Sequence, residues 1–191
     1  MATSANPPNS VIGSPVPALR GSGQITFARP ADTNAYTAGD IVANSTTAGN
    51  VVLLAFPVAR TKGGGGYIVK ATLDTNLKTF LSQMRLYLFT VPAGPQNIGV
   101  QVQADNAAQQ ILQLNTQFQI GFIDFPLLVS GASASSTSAT AMFTGSTQFR
   151  CFQGTAQLPA DDTIYGYLVD NTGSTPAANQ LFTVALEADV Y

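Results

Sequence analysis

Apolar and polar residues alternate most clearly in two stretches near the middle of the chain. In Tyr67–Asp74 one face reads Tyr67, Val69, Ala71 and Leu73, and the other Ile68, Lys70, Thr72 and Asp74. In Met84–Phe89 the apolar face reads Met84, Leu86 and Leu88, with Arg85, Tyr87 and Phe89 turned the opposite way. Period-two alternation marks strands with one face in a core. The segment between them, Thr75–Gln83, is too short for a parallel crossover with its helix and fits an antiparallel pair. The pattern predicts two paired strands at the centre of a domain, with Met84, Leu86 and Leu88 in the core and Lys70 and Arg85 together on the outward side.

Shorter runs of the same kind fill the rest of the chain. Gln24–Ala28 and Tyr36–Ala43 read as strands separated by Pro30, Asp32 and Asn34. Val51–Phe56 is a continuous apolar run ended by Pro57, as expected of a buried strand. Ile98–Gln103 and Phe118–Phe125 alternate again, the latter with Phe118, Ile120 and Phe122 on one face. Ala141–Phe152 holds one long or two short strands broken near Gly145, and Thr163–Asp170 and Leu181–Val190 close the chain. The one helix candidate is Asp105–Leu114, which Asp105 would cap and Ile111, Leu112 and Leu114 would dock. Ser130–Thr140 is low in apolar residues and reads as a flexible loop. Many short strands with turn-rich links predict an all-β, jelly-roll-like sandwich or barrel with at most one short helix, early strands pairing with late ones.

Residues 1–23 differ in kind. Pro7, Pro8, Pro15 and Pro17, set among Ser, Asn and Gly, predict an extended N-terminal arm ahead of a single domain spanning 24–191. Such an arm folds back on its own domain or lies on a neighbouring subunit or another protein. Pro7, Pro8, Pro15, Pro17, Arg20, Lys70 and Arg85 are the candidate protein contacts.

Composition narrows the function more than the fold. Charged residues make up 9% of the 191 residues, the net charge is −2, and there is no histidine or tryptophan. A surface of Thr, Ser, Asn, Gln, Ala and Gly has little long-range field, so neither nucleic acid nor an anionic membrane is an expected partner. Arg29, Arg60, Lys62, Lys70, Lys78 and Arg85 are scattered and form no basic stripe. The first residues lack the basic and apolar regions of a signal peptide, and no run approaches the ~20 apolar residues of a membrane helix. Synthesis in a cytoplasm without export by the usual route is the expectation.

The same inventory removes most chemistry. Without histidine, Ser-His-Asp and Cys-His catalysis and His-ligated metal are excluded, and the lone Cys151 excludes thiolate clusters. Cys151 reads as a small buried hydrophobe. Gly63–Gly66 imitates a phosphate loop, but Lys62 precedes the glycines and Tyr67 begins a strand, so a hinge is the better reading. Asp124, Asp161 and Asp162 could supply a carboxylate pair only from distant loops. Asp105-Asn106 and Asp170-Asn171-Thr172 suit Asx-turns better than a cation. Asp74 and Arg85 could pair across the sheet surface. No catalytic residue, cofactor or metal site and no small-molecule substrate is expected.

GQITFARPADTNAYTAGDIVA, GGYIVKATL…MRLYLF and ADNAA…IGFIDFP together resemble a group of tailed-bacteriophage virion proteins, over about residues 24–126. The group is described as head decoration (cement) or minor structural proteins. The resemblance implies a jelly-roll-like, non-enzymatic protein made in the bacterial host cytoplasm. It would be a homotrimer seated on the capsid surface of the virion, bridging capsomers by contact with the phage major capsid protein. A tail or head-fibre component for host attachment is the alternative.

Overall fold

The computed structural model describes residues 19–91, 103–110, 116–130, 136–154 and 159–191. Among the described residues ten strands lie in two antiparallel sheets: β1 Leu19–Ala28, β2 Asp40–Val42, β3 Leu54–Pro57, β4 Gly65–Thr75, β5 Met84–Phe89, β6 Gln119–Asp124, β7 Val129–Ser130, β8 Thr137–Arg150, β9 Thr163–Asp170 and β10 Leu181–Val190. One sheet has the order β1-β10-β4-β8-β7 and the other β2-β9-β5-β6, with β3 following β2 along the same edge of β9.

Counting β2 with β3 and β7 with β8 leaves eight strands, and their pairing has a single rule. The first pairs with the last (β1 with β10), the second with the seventh (β3 with β9), the third with the sixth (β4 with β8) and the fourth with the fifth (β5 with β6). A long hairpin rolled upon itself gives this order, and the result is a jelly roll. The fold class read from the sequence, and its pairing of early with late strands, are both present.

The central strand pair is not. β4 lies in one sheet and β5 in the other, so Thr75–Gln83 crosses the end of the sandwich instead of closing a hairpin. Its length suits either path, because both join strands at the same end. Met84, Leu86 and Leu88 do reach the core, where they meet Ile68, Leu73, Phe182, Val184 and Leu186 from the facing sheet.

Two bulges explain where alternation misplaced a face. In β4 the register shifts between Ile68 and Lys70, so Ile68 points inward before the shift and Ala71 and Leu73 after it, while Tyr67 faces out. Opposite it, β8 pairs Thr147 with Ile68 but Met142 with Lys70; Gly145 falls in that irregular stretch of a continuous strand. In β6 the shift between Leu88 and Phe89 turns Ile123 into the core and leaves Phe122 outside. An extra residue in one strand reverses the side-chain phase beyond it.

Other boundaries differ. β1 begins at Leu19, inside the stretch assigned to the arm, and residues 1–18 with Pro7, Pro8, Pro15 and Pro17 lie outside the described residues. Residues 137–140 of the expected loop are strand, paired with β4. The expected helix is absent from its described part: Asp105–Ala107 turn, with Asn106 at φ 60, Ala108 bridges to Asp40, and Ile111, Leu112 and Leu114 lie outside the described residues, as do 98–102 of the expected Ile98–Gln103 strand. Asp105 does not cap; its carboxylate is spent on a tertiary cluster. Only Asp40–Val42 of Tyr36–Ala43 is strand, and Val52 of the apolar run is exposed.

That cluster locks one end of the sandwich. Asp105, fully buried, accepts from Arg29 Nη2 at 2.9 Å, Tyr36 Oη at 2.9 Å and the Ala43 amide at 2.8 Å. Arg29, fully buried too, also reaches Asp32 at 3.0 Å and lies over the Tyr36 ring. Burial pushes the Tyr36 hydroxyl well above its ordinary range, and the Asp105 charge reinforces this.

A second, smaller core covers the outer face of the β5–β9 sheet. It contains Ile41, Val51, Leu53, Tyr87, Phe89, Tyr167 and Val169. Phe89 is therefore buried on the face that alternation left outside. At the other side, Gly21 and Gly23 of β1 let the sheets close together. A Cβ on Gly23 would sit 3.0 Å from the Phe56 Cα, and one on Gly21 would strike the Val58 carbonyl.

Candidate interaction surfaces

The cations singled out in the sequence fall on opposite sides of the sandwich. Lys70 and Arg20 come together on the outer face of the β1–β10–β4 sheet, around Glu187. Lys70 Nζ meets Glu187 Oε1 at 2.6 Å, while Arg20, 72% exposed, approaches Glu187 at 3.7 Å and Asp189 at 3.9 Å. The hydrogen bond from Lys70 holds the Glu187 carboxyl below the usual glutamate range. Between these ends the outward positions include Ser22, Gln24, Thr26, Thr72, Thr140, Thr183 and Ala185, with Thr26 and Thr183 hydroxyls 2.8 Å apart, while Tyr67, Asp74 and Leu181 also face out toward the ends of their strands. This face is uncharged at its centre, ion-paired at one end and carries Asp74 toward the other.

Arg85 lies across the molecule, on the outer face of the β5–β6 pair. Its partner is Asp124 and not Asp74: Nε and Nη2 reach the two carboxylate oxygens at 2.6 and 2.9 Å. The expected Asp74–Arg85 pair fails because the two strands belong to different sheets. The guanidinium also stacks 4.0 Å over Phe122, which is 48% exposed. From Phe122 an aromatic row runs in register through Tyr87 to Tyr167, with ring centroids 5.9 and 5.5 Å apart. An arginine fixed on an exposed aromatic is the kind of group that dominates protein interfaces. The sequence named Arg85 but not Phe122, because the bulge in β6 was invisible to alternation.

A third surface is apolar. Leu81, Leu127 and Val129 are 53%, 46% and 61% exposed. The Leu128 amide donates to the Ser82 carbonyl at 3.1 Å, which holds the two segments side by side at one end of the sandwich.

No reaction centre assembles from the carboxylates considered above. Asp124 is held by Arg85, Asp161 accepts from Tyr165 Oη at 2.8 Å, and Asp162 from Thr163 Oγ1 at 3.2 Å. Asp170 is buried and takes the amides of Thr172, Gly173 and Ser174, an Asx-type turn. Among the described residues no three of His, Cys, Asp and Glu gather as metal ligands. Gly63 has φ +70 and Gly65–Gly66 enter β4, as a hinge before a strand requires. Cys151 is buried, and desolvation pushes its thiol up to about 12.

Fold and surface together define a jelly-roll domain whose distinctive groups lie on its faces and edges. No protein-family model and no curated protein matches the chain. Among solved structures, a chain of the Israeli acute paralysis virus full particle is similar at 12% identity and TM-score 0.33, covering 90% of this chain and 71% of that one. A chain of sacbrood virus of honeybee is similar at 14% identity and TM-score 0.27, covering 88% and 67%. The fold assignment rests on the strand order itself.

Proposed function

We propose that the chain is a non-enzymatic virion structural protein that decorates the outside of a tailed-phage head and bridges capsomers. The observation that carries this reading is the jelly-roll pairing combined with an outer face of the β1–β10–β4 sheet whose middle is built of hydroxyl and amide side chains. Fold alone does not assign function. Jelly rolls occur in cupins, lectins and viral shells. Cupin-type metal chemistry needs imidazoles that this chain lacks, and the carboxylates described are committed to Arg, Tyr, Thr and backbone partners. A weakly charged sheet face suits permanent contact with another protein surface, where long charged side chains would have to be desolvated and ordered. The resemblance over residues 24–126 supports the same class, with the phage major capsid protein as partner. Such a protein stabilises the assembled shell by binding it and not the free subunits.

Particles lacking the protein supply the test. Added back, it should sediment with them and raise the temperature at which they release DNA. Binding to purified host cells but not to heads would transfer the protein to the tail or a head fibre and refute the decoration reading.

A further inference from the structure

We infer that the free edge of β1 is a self-association site, at which two copies of this chain pair antiparallel about Gln24. The inference goes beyond the proposed function and concerns contact between like chains. The two-fold pair it predicts stands in place of the trimer that the family resemblance implies.

The β1–β10 ladder runs without a shift from Leu19–Val190 to Ala28–Leu181, and continues as the Arg29 amide donates to the Gln180 carbonyl at 3.0 Å. In an antiparallel ladder, alternate residues turn both main-chain groups to the same side. Gly21, Gly23, Ile25, Phe27 and Arg29 therefore face β10. Arg20, Ser22, Gln24, Thr26 and Ala28 turn their N–H and C=O groups to the opposite edge. Among the described residues no main-chain bond reaches that edge.

The other edges carry features that hinder pairing. β3 contains Pro57, and β2 is three residues long, with its own Ile41 bonded to Ala107 and the preceding Gly39 bonded to Gln109. β6 is bulged, while β8 is shielded at Thr137–Ser138 by β7 and irregular opposite Ile68–Lys70. Proline, bulges, short strands and covering segments are how sheet edges avoid pairing. β1 is ten residues long, regular and free of proline and lysine.

Its sequence is also self-complementary. Pairing about Gln24 sets Arg20 against Ala28 of the second copy, Ser22 against Thr26, and Gln24 against Gln24. All five outward residues then find partners, and the two Arg20 charges lie at opposite ends of the contact. In the same register the half-buried Ile25 and Phe27 fall opposite Gly23 and Gly21 of the second copy, which present no side chain of their own beside Phe56 and Val58. A symmetric pair needs one patch that complements itself, and this edge meets that condition.

The test is sedimentation equilibrium of the full chain, with hydrogen exchange read at single amides. A dimer of twice 19.9 kDa is expected, with the Ser22, Gln24 and Thr26 amides protected only at concentrations where it forms. Gln24→Pro removes an edge N–H without touching the β10 ladder, so it should keep the fold and weaken association by about tenfold or more. Gln24→Lys and Gln24→Glu should each be monomeric alone and form a mixed dimer together. A wild-type monomer or trimer, a dimer with those amides exposed, or charge variants that fail to restore each other would each overturn the inference.

Discussion

Removing the Asp105 carboxylate tests the lock at the end of the sandwich. Asp105→Ala leaves the buried Arg29 guanidinium with Asp32 as its remaining carboxylate partner, and Asp32 is 28% exposed. It also strips the acceptor from Tyr36 Oη and from the Ala43 amide. Breaking one side of a buried pair costs about 3–5 kcal/mol, because the surviving charge keeps its desolvation penalty. For a chain of this size each kcal/mol moves the melting temperature by roughly 2–4 °C, so a fall of about 10 °C is expected. Urea unfolding followed by circular dichroism measures the free energy directly. A cycle with Arg29→Ala should show the double variant less destabilised than the sum by about 1–3 kcal/mol, since each single change orphans the other partner. A loss below about 1 kcal/mol for Asp105→Ala, at unchanged denaturant slope, would refute the claim that this cluster anchors the loops.

Three further outcomes follow from particular contacts. Gly166→Ala places a Cβ 2.6 Å from the Tyr87 carbonyl and 3.0 Å from Leu86 Cδ1, and should cost about 1–3 kcal/mol in urea titration; Gly49→Ala, with nothing within 4 Å, should cost almost nothing. Cys151, buried with its thiol pushed up to about 12, should resist a disulfide reagent near neutral pH until the chain unfolds; rapid labelling of folded protein contradicts its placement. Lys70 lowers the Glu187 pKa, so the stability their pair adds is present above the ordinary glutamate value and is lost as pH falls through the lowered folded one. Lys70→Met should therefore be less stable than wild type at neutral pH by under about 1 kcal/mol, with the gap closing in acid; a gap independent of pH would contradict the pairing.

The last two strands were legible to the residue, since Thr163–Asp170 and Leu181–Val190 are regular, bounded by turn residues and set the pairing of their neighbours. Met84, Leu86 and Leu88 were legible because no bulge interrupts β5 between them. The errors share one physical origin. A bulge preserves the alternating composition while reversing its phase, as at Ile68–Lys70, so a face read from sequence is right only up to the bulge. A connection of given length does not reveal whether it turns back in one sheet or crosses to the other, so alternation and length alone pair β4 with β5. Asp105 carried a helix-cap signal, yet its partners Arg29 and Tyr36 lie 76 and 69 residues away, beyond any local pattern. Of the interaction surfaces, Lys70 and Arg85 stood out as rare charges, but only the fold separates them onto opposite faces.

A shell component of this kind must be abundant in purified particles. Quantitative mass spectrometry against the major capsid protein should find hundreds of copies per virion, removed without loss of the capsid protein itself. A dozen copies or fewer, or none in washed particles, would contradict it.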